Sequence, residues 1–175
     1  ADLTVAFTKV APEASSRFGL AFIEDEDPRG GRVTQYREKP RNSNLEWASL
    51  TIYVFRTELL ITVLEENAAN SSHEFGKDII PHIVKNGTAW AHRFTRSCVR
   101  SSNERVAYWR DVGTVDAFYE ANMELVHVNP ELNIYDEQWP IWTYQRQYPP
   151  AKFVLDEDGR RGMAVNSVVS GGCII

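Results

Sequence analysis

Three short stretches of this 175-residue chain hold the side chains most able to do chemistry. Glu38-Lys39-Pro40 sets a carboxylate, an ammonium and a chain-breaking ring in succession. At adjacent strand positions the first two side chains point to opposite faces, and they converge only where the strand stops. Pro40 enforces such a stop on the residue before it. A converged pair suits a phosphorylated sugar, because an ammonium meets phosphate as a point charge and a carboxylate accepts from hydroxyls. A solvated hairpin end is the competing reading of the same residues.

Tyr108-Trp109-Arg110-Asp111-Val112-Gly113-Thr114 offers a second chemistry. Ligands of open α/β sheets gather at the carboxyl ends of strands, where Asp111 is predicted to fall. One hard carboxylate there suits Mg²⁺, which takes the rest of its shell from substrate phosphates and water. Asp111 is equally readable as a turn acid. The third candidate is Gly19, inside an apolar strand pattern. Glycine weakens a strand unless a bulge or a close approach requires it, and a ligand is one such approach.

Other chemistries find little support. His73, His82, His92 and His127 share no ligand spacing with a carboxylate or a cysteine, and Cys98 and Cys173 suggest neither a disulfide framework nor a zinc site. No nucleophile stands beside a base, and no glycine-rich phosphate loop is present. A net charge of -5 argues against nucleic acid as the partner. No apolar run has the length of a membrane span.

The elements that must position these residues follow from periodicity. Strands are predicted over Leu3 to Val10, Phe18 to Ile23, Arg32 to Glu38, Trp47 to Phe55, Thr88 to Phe94 and Val106 to Arg110. Trp47 to Phe55 reads as a run buried on both faces. Thr57 is placed to cap a helix carrying Leu59, Leu60, Val63 and Leu64, and Phe75 to Val84 is helical with Pro81 kinking it. Thr114 caps an amphipathic helix with Val115, Phe118, Tyr119, Met123 and Leu125 on its apolar stripe. Beyond Asn129, prolines and aromatics without period suggest an ordered connector. The pattern from Ser167 to Ile175 looks like one coil of a parallel β-helix.

The motifs gain force from their order: Phe18-Gly19, Glu38-Lys39-Pro40, Ala48-Ser49-Leu50, Ser72 through Pro81, Tyr108 through Thr114, Trp139-Pro140-Ile141, Pro149 through Phe153 and Asn166 through Cys173. This series resembles the bacterial and plant glucose-1-phosphate adenylyltransferases from near Ala1 to Ile175. Glu-Lys-Pro and Trp-x-Asp-x-Gly-Thr are shared with other sugar nucleotidyltransferases, whereas the Trp-Pro-Ile and Pro-Pro-Ala-Lys-Phe connector is narrower.

The resemblance implies an α/β fold, a partial Rossmann-like nucleotidyltransferase domain followed by the first coil of a left-handed parallel β-helix. Residues 1–128 are then the C-terminal half of the catalytic domain, 129–164 the connector and 165–175 the start of the β-helix. Both ends look cut. The other half of the family's domain carries the nucleotide loop, a second metal-binding Asp and most of the adenine pocket.

The implied reaction joins ATP and glucose 1-phosphate to give ADP-glucose, for glycogen or starch, and pyrophosphate. Gly19, Glu38, Lys39 and Ser49 would bind glucose 1-phosphate, with Lys39 and Asp111 as the catalytic pair and Asp111 holding Mg²⁺. The family also implies allosteric control, a homotetramer or hetero-oligomer, no nucleic acid or membrane partner, and a cytoplasmic or, in a plant, plastid location. A UTP- or dTTP-using enzyme and a non-catalytic regulatory subunit are the alternatives. Thr51 stands where the family usually has glycine, Leu50 where it has methionine, and Trp142 where its connector has arginine. With sheet edges left open, the segment alone is expected to be inactive and poorly folded.

Overall fold

The computed structural model describes every residue except Asn42, Asn70, 99–106 and Asp158. It divides into two compact units, Ala1–Cys98 and Val99–Ile175.

In the first unit, β1 (Leu3–Lys9), β2 (Gly19–Asp27), β3 (Gly30–Glu38), β4 (Trp47–Phe55) and β5 (Ala89–Arg93) form one closed ring in the order β1-β4-β2-β3-β5. Every pairing is antiparallel except β1 with β5. The open sheet edges expected of a partial Rossmann-like domain are not found in this ring. Closure of β5 onto both β1 and β3 satisfies the backbone groups that an open edge would leave bare. β2 and β3 run on past the Ile23 and Arg32 bounds expected of them and meet in a tight turn. Asp27 accepts the amide hydrogens of Arg29 and Gly30, and Gly30 lies against the Ala91 carbonyl where a side chain has no room.

The core gathers one face of the strands against two helical segments. Leu3, Val5, Phe7, Ala21, Val33, Tyr36 and Trp47 meet Val63 of α1 (Thr57–Asn67) and Ile80 and Ile83 of α2 (Ile80–Asn86). Thr57 does not cap α1. It is the first helical residue, and Arg56 holds the cap position without a side-chain bond, drawn instead to Asp2 at 3.0 Å. A π-helical turn, Phe75–Ile79, runs into α2, so the extra residue per turn is absorbed just before Pro81, and a single turn, α3 (Phe94–Ser97), follows β5.

β4 is buried only in its first half; Ile52 and Val54 are 46% and 68% exposed, against the expectation of a strand covered on both faces. The reason is a bulge. Val5 pairs with Tyr53 but Phe7 with Ser49, so Leu50, Thr51 and Ile52 together oppose Ala6. Thr51 occupies the left-handed region at φ 59°, costly for a β-branched residue.

In the second unit the strand expected over Val106 to Arg110 is not formed at 107–110, which pair with no strand among the described residues, and Val106 lies outside them. Thr114 caps α4 (Val115–Glu124) as predicted, its hydroxyl accepting from the Ala117 amide at 3.2 Å. The apolar stripe of α4 buries none of its residues. Residues 140–150 are irregular. Beyond them Lys152 bridges Ile174 in parallel, the Val154 amide donates to the Ile175 carbonyl, and the Gly162 amide donates to the Val154 carbonyl. Side-by-side parallel segments from separate stretches are the backbone signature of a solenoid coil. A short hairpin, β6 (Leu155–Glu157) with β7 (Arg160–Arg161), projects between them.

Relief of the left-handed strain outweighs the added freedom of glycine in the unfolded chain, so Thr51→Gly is expected to stabilise the protein by about 1 kcal/mol. A thermal midpoint that rises by a few degrees checks this; a fall shows that the Thr51 side chain packs productively.

Candidate functional site

Gly19, Glu38 and Ser49, from three different strands, lie on one transverse row of the ring. Gly19 pairs with Glu38 across β2 and β3, Leu20 pairs with Ala48 across β2 and β4, and Ser49 pairs with Phe7 across β4 and β1. Cross-strand neighbours share a face, so topology alone gathers these side chains.

Glu38 is the last residue of β3, and Lys39 follows at φ 43°. That left-handed step turns the lysine back, and its Nζ reaches 3.9 Å from Glu38 Oε1. The convergence expected at the strand end is present, and it rests on a conformation that costs about 1–3 kcal/mol for a residue with a side chain. The two ends differ in exposure: the Lys39 side chain is 60% exposed and that of Glu38 only 14%. A carboxylate so covered needs partners. Its other oxygen, Oε2, accepts from the Tyr36 hydroxyl at 3.0 Å.

Glycines make room for this arrangement. A Cβ on Gly19 would overlap the Tyr36 phenol and press on the Glu38 carboxylate, and a Cβ on Gly76 would overlap that carboxylate too. Gly19 is therefore no bulge. The register shifts of β2 fall at Phe22/Ile23 and Glu24/Asp27, and the close approach Gly19 permits comes first from side chains of the fold itself. Gly76 is delivered by the Ser72-to-Pro81 motif. His73 turns the chain at φ 56°, and Asp78 accepts from the Ser72 hydroxyl at 2.8 Å and from the Glu74 amide at 3.1 Å. Those hydrogen bonds hold the Asp78 carboxyl below its usual range.

Ser49 is buried, and its Oγ accepts from the Thr51 amide at 3.3 Å, on the lip of the bulge. Tyr36 and Tyr53 flank it. Burial foremost, then the Glu38 charge and Tyr53, push the Tyr36 phenol far above its ordinary pKa, while a hydrogen bond with Ser49 draws it back. Burial raises Tyr53 likewise, with Ser49 again opposing. Tyr53 stacks on Phe75 with ring centroids 6.0 Å apart. Lys77, on the same π-helical turn, pairs with Glu74; that hydrogen bond first, and the charges of Glu74, Glu38 and Asp78 after it, raise its pKa.

Tyr36, Tyr53, Gly76 and Lys77 were not singled out from the sequence. Tyr36 was findable, since it stands two residues before Glu38 and a strand puts both on one face. Gly76 and Lys77 come from a π-helical turn whose approach to β3 only packing reveals, and Tyr53 from the half of β4 beyond its bulge.

Asp111 belongs to the second unit. Its Oδ1 accepts from the Gly113 amide at 3.1 Å, and it lines an open cavity of about 600 Å³ with Arg110, Glu120, Glu124, His127 and Glu131. Among the described residues no group of three or more His, Cys, Asp or Glu is arranged to hold a metal. A half-buried carboxylate such as Asp111 fits an ion that borrows most of its ligands from a phosphorylated substrate, as Mg²⁺ does.

Comparison with known proteins supplies the frame for these features. The nucleotidyl transferase family matches residues 1–127, and a GlmU-like C-terminal hexapeptide family matches residues 149–175. The whole chain is 50% identical to a glucose-1-phosphate adenylyltransferase of Granulibacter bethesdensis and 51% identical to that of Mesorhizobium japonicum, covering 43% of each. The chain thus spans less than half the length of the relatives it matches.

Gly19→Ala is expected to cost about 1–3 kcal/mol by overpacking a buried contact, read as a lowered denaturation midpoint. Because the folded state raises the pKa of Tyr36 and Tyr53, it binds protons that the unfolded chain releases near pH 10. The tyrosine contribution to stability is therefore complete below pH 10 and is lost as pH rises above it. Denaturant unfolding between pH 8 and 11 should show that fall, with a shallower slope in Tyr53→Phe.

Proposed function

We propose sugar-phosphate nucleotidyl transfer from one premise: the chain belongs to the nucleotidyl transferase family. The specific reading is adenylyl transfer from ATP to glucose 1-phosphate, with the chain as part of a longer enzyme. The observation that carries it is 50% identity to glucose-1-phosphate adenylyltransferases across the entire chain. In this reading residues 1–128 belong to a Rossmann-like catalytic domain, and 165–175 open a left-handed β-helix after the 129–164 connector.

A phosphate oxygen of glucose 1-phosphate attacks the α-phosphorus of ATP. The new P–O bond forms as the bond to the β-phosphate oxygen breaks, and pyrophosphate leaves with that electron pair. Such a displacement needs alignment and charge neutralisation more than a protein nucleophile. Lys39, exposed and turned back over Glu38, neutralises the sugar phosphate. Glu38 and Ser49 accept from sugar hydroxyls, and Gly19 keeps the row between them clear. Asp111 is the carboxylate that would hold Mg²⁺, which when bound supplies charge neutralisation at the triphosphate. The Gly113 amide fixes one Asp111 oxygen, and the Thr114 cap anchors the turn to α4. A cytoplasmic, oligomeric, allosterically controlled enzyme completes the reading; among the described residues no helix is long and apolar enough to cross a membrane.

The test is pyrophosphate release by the full-length protein with glucose 1-phosphate, Mg²⁺ and ATP, compared with UTP and dTTP. ATP-dependent turnover is expected, and turnover with UTP or dTTP in its place would reassign the base. Lys39→Ala should raise KM for glucose 1-phosphate about ten- to a hundredfold, the scale of a lost charged hydrogen bond. Asp111→Ala should lower kcat about 10²–10³-fold or more. An unchanged KM in the first variant, or near-normal Mg²⁺-dependent turnover in the second, contradicts the assigned role.

A further inference from the structure

The Glu38 carboxylate has two oxygens with different surroundings. Oε2 is turned inward, where it accepts from the Tyr36 hydroxyl at 3.0 Å and is enclosed by Gly19 and Gly76. Oε1 is turned towards the exposed Lys39 ammonium, 3.9 Å away. The last torsion of a glutamate is broad and two-fold, so packing of its methylene groups does not fix which way the carboxylate plane faces. A directional hydrogen bond does. Tyr36 supplies it from a site where only 9% of the residue meets solvent, two positions before Glu38 on the same strand. Burial together with the Glu38 charge keeps the phenol protonated well past its ordinary pKa, so it stays a donor.

The requirement for the hydroxyl is separable from the requirement for the ring. The ring belongs to the core cluster and would pack equally well as phenylalanine. The oxygen is what reaches Glu38, and Gly19 makes room for it together with the ring carbon that bears it and Glu38 Oε2.

We propose that Tyr36 is a positioning residue whose hydroxyl locks the Glu38 carboxylate, so that Oε1 is presented to a hydroxyl of the sugar. The inference rests on the reading that Glu38 binds glucose 1-phosphate, and it adds a determinant of sugar recognition that itself touches no substrate. Tyr36→Phe keeps the ring and removes the lock.

In the full-length protein, Tyr36→Phe should raise KM for glucose 1-phosphate about five- to tenfold, the scale of one ordinary hydrogen bond, because the hydroxyl acts on the sugar only through Glu38. kcat and KM for ATP should stay within about twofold, because the effect is on sugar binding alone. With a panel of monodeoxy glucose 1-phosphates, the difference between wild type and variant should vanish for the analogue lacking the hydroxyl that Glu38 accepts. A KM for glucose 1-phosphate equal to wild type, with only the thermal midpoint lowered, overturns the inference and leaves Tyr36 a core residue. An equal penalty on every analogue also overturns it. A wild-type protein that turns over no sugar 1-phosphate overturns the functional reading itself, whereas normal wild-type turnover with an unaffected variant overturns the role of Tyr36 alone.

Discussion

A carboxylate held mostly out of water at the end of β3 is the constraint around which the first unit is arranged. Burying an unpartnered charge is among the costliest things a small fold can do. Glu38 is accommodated because one oxygen accepts from a phenol, the other faces an ammonium, and two glycines from different elements leave the space it fills. Each of those partners has its own support. The phenol is anchored in the core cluster, the ammonium depends on a left-handed backbone step, and Gly76 is carried in by a turn that Asp78 ties to Ser72 and Glu74.

Strain concentrates in the same neighbourhood. Lys39, Thr51 and His73 all have positive φ without being glycine: the first beside Glu38, the second beside Ser49, the third opening the motif that bears Gly76. Such conformations persist only where the surrounding structure over-determines them. Here the over-determination comes from ring closure. With β5 joined to both β1 and β3, no strand of the ring has a free edge along which to slip, and the Ser49–Gly19–Glu38 row is fixed in register. Rigidity of the row and strain at its margins are two sides of one arrangement, which suits a site that must hold a sugar in one pose.

The second unit reaches order by different means. α4 ends on Glu124, an acid at the negative end of the helix dipole with no basic residue in its last turn. Arg110 answers that charge at 2.8 Å and meets Glu131 at 3.1 Å, while Thr114 caps the opposite end. The loop carrying Asp111 is therefore tied to both ends of the helix. Farther on, backbone hydrogen bonds between Lys152–Val154 and Cys173–Ile175 begin a parallel stack, in the region that matches the hexapeptide family.

The sequence by itself determined the local elements and the identity of the candidate residues. Period-2 and period-3.6 patterns located β1 to β5, α1 and α4 to within a few residues, since those patterns follow from backbone geometry. The Thr114 cap was legible for the same reason: a cap bond spans three residues and needs no distant partner. Thr57 misled because β4 passes directly into α1 and Arg56 is drawn to Asp2, a contact across the whole unit.

Tertiary structure alone decided what lies beside what. Closure of the ring, the bulge that exposes the second half of β4, and the Tyr36 and Gly76 contacts on Glu38 are all long-range, and no sequence period encodes them. The absence of a strand at 107–110 has the same origin, because a strand exists only when another backbone completes its hydrogen bonds. Glu38 and Lys39 could be read as a pair from their spacing, but the inward turn of one carboxylate oxygen is set by a hydroxyl that packing, not sequence order, holds in place.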